Sequence, residues 1–253
     1  MSAGLMLQPA ACSEVGRRAN NEDAVFCSPR LVAVADGVGG AAAGEVASGW
    51  AINEMNTLER SRLNGALEVA VREAVQTANA ALNFLVECRP ELSGMATTLT
   101  AVALSNDGDY VIANVGDSRT YLYRDGALRQ LTRDQSLVQA LLDKGAITAE
   151  EAREHPQRNV VLESLDGAER TIGEPNLLRA HLGDRLLLCS DGVSDYLSDD
   201  QLAAALRTPS CRTAAEQLVA LALDAGSRDN VSAVVADVVD RPDVAEGWLP
   251  ALR

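Results

Sequence analysis

The chain has 253 residues, of which 47% are apolar and only 3% are aromatic, so we expect a core built from Val, Leu, Ile and Ala. Its formal net charge is −14, and such an acidic field repels nucleic acid and anionic membrane surfaces, which bind clustered Lys and Arg. No uncharged apolar run approaches the ~20 residues that cross a bilayer. We therefore expect a cytoplasmic globular protein that binds neither nucleic acid nor membrane.

Taken in chain order, the first half of the chain contains both strand and helix patterns. Short runs rich in Val, Leu, Ile or Thr and bounded by Gly, Asp or Asn predict strands, whereas Ala- and Glu-rich stretches of helical period predict helices. In order, these are a strand at residues 31–35, helices at 44–58 and 65–86, and strands at 98–104, 110–115 and 119–123. An Asp-Gly pair follows each of the strands 98–104 and 119–123, which favours hairpin turns there.

The pattern weakens between residues 132 and 161, where only short helices at 136–144 and 148–154 are predicted. We interpret this stretch as a flap-like excursion from the sheet, of a kind that commonly borders functional sites. The remaining predicted elements are strands at 177–181 and 185–189, helices at 198–206 and 213–225, and a last strand at 231–239.

The order of these elements predicts the fold class. Strands come in hairpin runs and helices are grouped between the runs, which favours an α+β fold of antiparallel sheets with helices packed outside them, and not a doubly wound parallel sheet. No Gly/Ser/Pro-rich linker or internal repeat divides the chain. We therefore predict one domain over residues 1–240, followed by a tail at 241–253.

Six carboxylates lie where predicted strands begin or end. Each one alone is an ordinary turn residue, since an Asp-Gly pair commonly does no more than break a strand. Strand ends on one side of a sandwich converge, however, and converging carboxylates repel one another unless cations hold them together. The six residues are Glu22, Asp23, Asp36, Asp117, Asp191 and Asp229.

The available donors indicate which cations these are. Mg²⁺ and Mn²⁺ prefer oxygen ligands, which are plentiful here. The two histidines and five scattered cysteines have no zinc-ligand spacing, and an odd number of cysteines argues for reduced thiols in the cytosol. We interpret His155 as a loop residue, His181 as a core or edge-strand residue, and Cys189 as a buried strand residue, because it lacks the phosphate loop of a cysteine phosphatase.

The carboxylates belong to five motifs, which read, in order, RANNED from Arg18, VADGVGG from Val34, GDSR from Gly116, SDG from Ser190 and RDNVS from Arg228. In this order and spacing they resemble the motifs of the metal-dependent protein phosphatases (the PPM, or protein phosphatase 2C-like, family), and most closely those of its short bacterial members. The resemblance runs from residue 16 to residue 239. It implies a central sandwich of two antiparallel β-sheets flanked by pairs of α-helices, in α-β-β-α layers.

The resemblance also implies a set of metal ligands. Asp36 would bridge two Mn²⁺ or Mg²⁺ ions, one of which Glu22 and the backbone carbonyl of Gly37 would also hold. Asp191 and Asp229 would hold the other ion.

Three further side chains have implied roles. Asp117 would form, with Asp191, a third and weaker metal site. Asp23 would orient the attacking water. Arg18 would bind the substrate phosphate, because the guanidinium fork matches two phosphate oxygens. The implied catalytic set is thus Arg18, Asp23 and Asp36.

The implied activity is hydrolysis of phosphoserine and phosphothreonine in proteins by a water that bridges the two ions. The expected partners are phosphoproteins, including a serine/threonine protein kinase whose action the chain reverses, and a monomer is expected. The chain departs from the family at Val38 and Gln135, where some relatives carry His, at Ala41, and at residues 163–167, which leaves the substrate preference open.

Two alternatives belong to other classes of protein. A non-catalytic phosphoprotein-binding module of the same fold would be expected to lack a metal ligand or Arg18, yet all are present. A structural Ca²⁺-binding module would require EF-hand spacing or acidic repeats, which this sequence does not contain.

Overall fold

The structure is a computed structural model that describes residues 4–39, 43–60, 66–169 and 173–241. In this part of the chain the strands form two antiparallel sheets. The first sheet has the order β1 (Leu5–Glu14), β11 (Val231–Asp240), β10 (Arg185–Cys189), β7 (Arg119–Arg124) and β8 (Ala127–Gln130). The second has the order β2 (Asp23–Cys27), β3 (Leu31–Val38), β5 (Leu99–Leu104), β6 (Asp109–Val115) and β9 (Asn176–Arg179), with β4 (Ala96–Thr97) beside β3.

Helices cover the outer faces of both sheets. A buried cluster that includes Met55 and Leu82 packs two long helices on the second sheet, and a cluster that includes Leu187 and Leu218 packs two others on the first. A third cluster lies between the sheets. The α-β-β-α prediction is therefore confirmed. The helices are α1 (Ala43–Arg60), α2 (Leu67–Cys88), α3 (Leu137–Asp143), α4 (Ala149–Arg153), α5 (Asp191–Ser194), α6 (Asp199–Leu206) and α7 (Cys211–Asp224).

Strand β3 shows why the buried strands were predictable. Its odd-numbered residues, such as Ala33, contact the helix-side cluster, and its even-numbered residues, such as Val34, contact the cluster between the sheets. A strand buried on both faces reads as one apolar run. By the same alternation Asp36 lies on the face toward the other sheet, at the end of the sandwich.

Two details of the predicted elements are wrong. Asp36 does not end its strand, because Gly37 and Val38 continue it by pairing with β4. His181 is neither a core nor an edge-strand residue, since β9 ends at Arg179 and His181 is exposed. Cys189, in contrast, is fully buried in β10, as expected.

The strands that the sequence did not reveal lie at sheet edges. β1, β2 and β8 each pair on one side only. Pro9 in β1 pairs with Ala236, and proline is tolerated in an edge strand because one side of that strand forms no ladder hydrogen bonds. These strands have few fully buried residues, so their sequences show no continuous apolar run. Within the described ranges, no helix is both long enough and apolar enough to cross a membrane.

Candidate active site

The predicted acidic residues converge at one end of the sandwich. Asp23, the first residue of β2, lies opposite Asp36 of β3 in the strand ladder. Burial raises the pKa of Asp36 well above its usual value, and the nearby charges raise it further. The aspartates whose charges act on Asp36 in this way come from four other segments and are Asp23, Asp191, Asp117 and Asp229.

Burial and neighbouring charges also raise the pKa of other carboxylates in the cluster. Burial and the charges of Asp117 and Asp195 raise the pKa of Asp191. Burial is also the main cause that raises the pKa of Asp23 and of Asp117 to about 6. Every one of these shifts disfavours the charged form, and a divalent cation among the carboxylates would reverse them.

The oxygen atoms of these side chains are the ligands that a hard cation prefers, but in this structure the carboxylates are not arranged around a single ion position. Within the described residues, no three His, Cys, Asp or Glu side chains are arranged to hold a single ion as they stand. Asp229 Oδ2 instead accepts a hydrogen bond from Arg18 Nη2 at 2.7 Å. Among the described residues, Asp23 Oδ1 is buried and has no hydrogen-bond partner, which indicates a place for a further donor or a cation.

Two serines hold the other oxygen of Asp23. Ser190 Oγ donates to Asp23 Oδ2 at 2.9 Å, and the backbone N–H of Ser232 donates to Ser190 Oγ at 3.1 Å. The side chain of Ser190 is fully buried between β10 and β11. These contacts hold Asp23 through Oδ2 and leave its Oδ1 available for another donor or a cation. No role for either serine was predictable from the sequence.

Two glycines allow β3 to approach α1 beside Glu22. The backbone N–H of Gly37 donates to the Glu22 carbonyl at 3.1 Å. A Cβ on Gly37 would lie 2.2 Å from the carbonyl oxygen of Gly44, and a Cβ on Gly44 would lie 2.9 Å from Glu22 Cδ. The close approach of these backbones therefore excludes any side chain, and it brings the Gly37 backbone next to Glu22.

Asn230 holds the loop that carries Arg18 and Glu22. Its Oδ1 accepts from the backbone N–H of Glu22 at 2.8 Å, and its Nδ2 donates to the carbonyls of Val15 and Asn20 at 2.9 Å each. Asn230 is only 4% exposed. Asn230 belongs to the RDNVS motif, but no role was predicted for it; its one signal in the sequence is a polar amide immediately before a buried strand.

Arg18 lies at the rim of the acidic cluster. Its side chain is 57% exposed, and the hydrogen bond to Asp229 raises the pKa of the guanidinium. Val38, the last residue of β3, is 52% exposed and offers no titratable group. Ala41 lies outside the described residues.

Asp117 lies in the tight turn between β6 and β7. Gly116 has a φ of +100°, and a Cβ there would lie 2.6 Å from Thr98 Cγ2. A cavity of about 440 Å³ begins at Asp117 and runs between the flap and the segment from Ser194 to Gln201. The cavity is large enough for side chains of a peptide, and Asp117 is the predicted metal-site residue that lines it.

Comparison with known proteins shows the family to which this chain belongs. Residues 13–225 match the family model "Protein phosphatase 2C". Over 239 residues the chain is 47% identical to the serine/threonine protein phosphatase PstP of Mycobacterium tuberculosis, a match that covers 93% of this chain and 46% of PstP. The chain thus spans about half the length of that relative. It is also 36% identical over 214 residues to the serine/threonine phosphatase stp of Listeria monocytogenes, covering 82% of this chain and 84% of that protein.

Solved structures of phosphatases have the same fold as this chain. The crystal structure of M. tuberculosis PstP superimposes with a TM-score of 0.87 at 46% identity, covering 93% of this chain and 100% of that one. A second structure, of the PstP catalytic domain in complex with two manganese ions, has a TM-score of 0.86 with the same identity and coverage. From its family model, relatives and fold, the chain belongs to the protein phosphatase 2C family.

Proposed function

We propose that this chain is a metal-dependent protein serine/threonine phosphatase that hydrolyses phosphoserine and phosphothreonine by direct attack of water. The observation that carries the proposal is the convergence on Asp36 of four further aspartates. Such a cluster stays ionised only with cations among its members. Phosphoryl transfer is a reaction in which divalent cations neutralise charge on the phosphate oxygens. The similarity to PstP and stp supports the same activity.

The proposal includes two Mn²⁺ or Mg²⁺ ions, of which manganese is named for the PstP catalytic domain. Asp36 would contribute to both ions, Glu22 and the carbonyl of Gly37 to one, and Asp191 and Asp229 to the other. When bound, the two cations lower the pKa of a water held between them and neutralise charge on the phosphate.

The remaining side chains position the water and the phosphate. Asp23 Oδ1, which is buried and unpaired within the part of the chain that the structure describes, would accept a hydrogen bond from the attacking water. In this structure Arg18 and Asp229 share a 2.7 Å hydrogen bond. Once Asp229 binds a cation instead, the guanidinium of Arg18 would be available to bind two phosphate oxygens. Asp117, whose charge raises the pKa of Asp191, would form a third, weaker site together with Asp191.

The substrates would be phosphoproteins, among them a serine/threonine protein kinase whose phosphorylation the chain reverses. The chain would act in the cytoplasm as a monomer, with residues 1–240 as a single phosphatase domain. The net charge of −14 and the family membership support this setting. If deletion of the gene leaves the phosphorylation of every serine/threonine kinase of the cell unchanged, the kinase part of the proposal is wrong.

Hydrolysis of p-nitrophenyl phosphate and of a phosphothreonine peptide tests the activity, with Mn²⁺, with Mg²⁺ and with EDTA. We expect metal-dependent turnover that Asp36→Asn and Asp191→Asn each reduce by at least about 10³-fold, since they remove ligands on which the chemistry depends. Asp224→Asn, on the exposed end of α7, is the control and should be fully active. Protein that binds Mn²⁺ but hydrolyses neither substrate would instead be a phosphoprotein-binding module, and activity in EDTA would refute the metal sites.

A further inference from the structure

A row of three serines crosses the first sheet beside Asp23. Ser13 of β1 and Ser232 of β11 lie opposite each other in the strand ladder, and the backbone N–H of Ser190, just after β10, donates to the Ser232 carbonyl at 3.1 Å. The serines mark the level at which the apolar interior ends and the acidic site begins. The residues two positions away on the same faces of these strands belong to, or pack against, the apolar cluster between the sheets, and they are Ala11, Val234 and Leu188.

A connected set of hydrogen bonds joins this row to the loop before β2. Ser13 Oγ and Ser232 Oγ are 2.7 Å apart, and Asn21 Nδ2 donates to Ser13 Oγ at 2.8 Å. Asn21 Oδ1 accepts from the backbone N–H of Asp23 at 3.1 Å. Because a backbone N–H can only donate, this last contact fixes which end of the Asn21 amide is the oxygen. Asn21 therefore presents a donor, and not an acceptor, to Ser13.

The fixed amide gives the hydroxyl groups a direction. Ser13 Oγ accepts from Asn21 and has one hydrogen left to donate, and Ser232 Oγ lies 2.7 Å away to accept it. The hydrogen of Ser232 is then free for the Asp23 carboxylate. Burial raises the pKa of Asp23, and hydrogen bonding by Ser232 and Ser190 opposes that rise. Two hydroxyl groups of the row thus act as donors toward one carboxylate.

We propose that Ser232 is a positioning residue for Asp23, and that Ser13 and Asn21 set the direction in which its hydroxyl donates. With these donors holding the carboxylate, Asp23 Oδ1, unpaired in the described part of the chain, stays available to the attacking water. The serines transfer no proton; they keep an acceptor in one orientation. The proposal rests on the proposed function in one respect, that a water bound beside Asp23 is the nucleophile.

Steady-state hydrolysis of p-nitrophenyl phosphate in Mn²⁺ tests the role of the hydroxyl. Ser232→Ala should lower kcat about tenfold, as expected when an outer hydrogen bond to a site carboxylate is lost. KM and the Mn²⁺ affinity should stay within twofold of the wild type, roughly the scatter expected when no group that binds phosphate or cation is removed. Ser232→Thr keeps the hydroxyl and should restore kcat. A wild-type kcat in Ser232→Ala, or a loss that appears only in KM, would refute the proposal.

Thr120→Val is the matched control for the loss of a buried hydroxyl. Thr120 Oγ1 and Thr100 Oγ1 share a 2.7 Å hydrogen bond between the two sheets, and both residues are fully buried. This variant should lose as much stability in urea as Ser232→Ala does, but it should keep the wild-type kcat. In an Asp23→Ala background, Ser232→Ala should lower kcat no further, because the two residues act as one unit. A second tenfold loss in that background would show that Ser232 acts independently of Asp23.

Crystal structures of the metal-free protein supply a readout that needs no activity. In the wild type we expect one conformation of Asp23, with Oδ2 bonded to Ser190. In Ser232→Ala and in Ser13→Ala we expect the Asp23 side chain to occupy a second rotamer, whereas in Thr120→Val it should not. A single, wild-type orientation of Asp23 in Ser232→Ala would overturn the proposal. If the wild type hydrolyses neither p-nitrophenyl phosphate nor a phosphopeptide, the proposed function fails, and the crystal structures still decide whether the serines orient Asp23.

Discussion

Replacing Asn230 by Ala tests whether one buried amide holds the loop of Arg18 and Glu22 against the site. The substitution removes three hydrogen bonds, of 2.8, 2.9 and 2.9 Å, to backbone groups of that loop. A hydrogen bond of this kind contributes about 1 kcal/mol net, and water can reach part of the exposed loop after the substitution. We therefore expect the free energy of unfolding to fall by about 2 to 3 kcal/mol.

Urea unfolding in EDTA measures this change without a contribution from bound metal. The control is Asn159→Ala, at an exposed position on the flap, which should change the free energy of unfolding by less than about 0.5 kcal/mol. In Mn²⁺, Asn230→Ala should also lower metal affinity or activity by about 10- to 100-fold, because Glu22 is no longer held. A change in unfolding free energy as small as that of the control would refute the assignment of Asn230 as the anchor of this loop.

Two more predictions follow from the site. In EDTA, the free energy of unfolding should rise as the pH falls from about 7 to about 5. Asp23 and Asp117 have a pKa of about 6 in the folded protein, against an ordinary value of 3.8. Over this pH range the folded state therefore binds more protons than the unfolded state, and protonation stabilises it. A thermal melting temperature that falls over this range would contradict the prediction. Gly37→Ala should destabilise the fold and abolish Mn²⁺ binding measured by calorimetry, because its Cβ would lie 2.2 Å from the Gly44 carbonyl oxygen. Gly49→Ala, in α1, would place its Cβ more than 4 Å from every atom of the described residues beyond its own turn of helix, and it should instead stabilise the protein by about 0.5–1 kcal/mol.

The sequence predicts most directly the strands that are buried on both faces. β3 and β10 are short apolar runs because both of their faces are covered, and a sequence pattern records that directly. β1 escapes prediction because it is an edge strand containing Pro9, and its pairing with β11 joins residues more than 200 positions apart. A pattern within β1 cannot reveal that partner.

The same distinction applies to the site. That the acidic residues lie close together was predictable, because they stand at strand ends that converge on one side of the sandwich. The residues that orient them were not predictable. Asn230 bonds to Glu22 across 208 positions and Ser190 bonds to Asp23 across 167, and a Ser or Asn before a strand is otherwise an ordinary residue. Gln135 was noted only because some relatives carry His at this position. In the structure its Oε1 accepts a hydrogen bond from the backbone N–H of Gly116.

The fold and the proposed metal site depend on each other for an electrostatic reason. The aspartates around Asp36 come from both sheets and from segments far apart in the chain, so only the folded protein brings them together. Their mutual repulsion opposes folding, and a cation that binds among them removes that repulsion while having no comparable site in the unfolded chain. A ligand that binds only the folded state stabilises it in proportion to the logarithm of its concentration over Kd. Metal binding should therefore stabilise the sandwich end most, where β2, β3, β10 and β11 bring the carboxylates together, and the outer helices least.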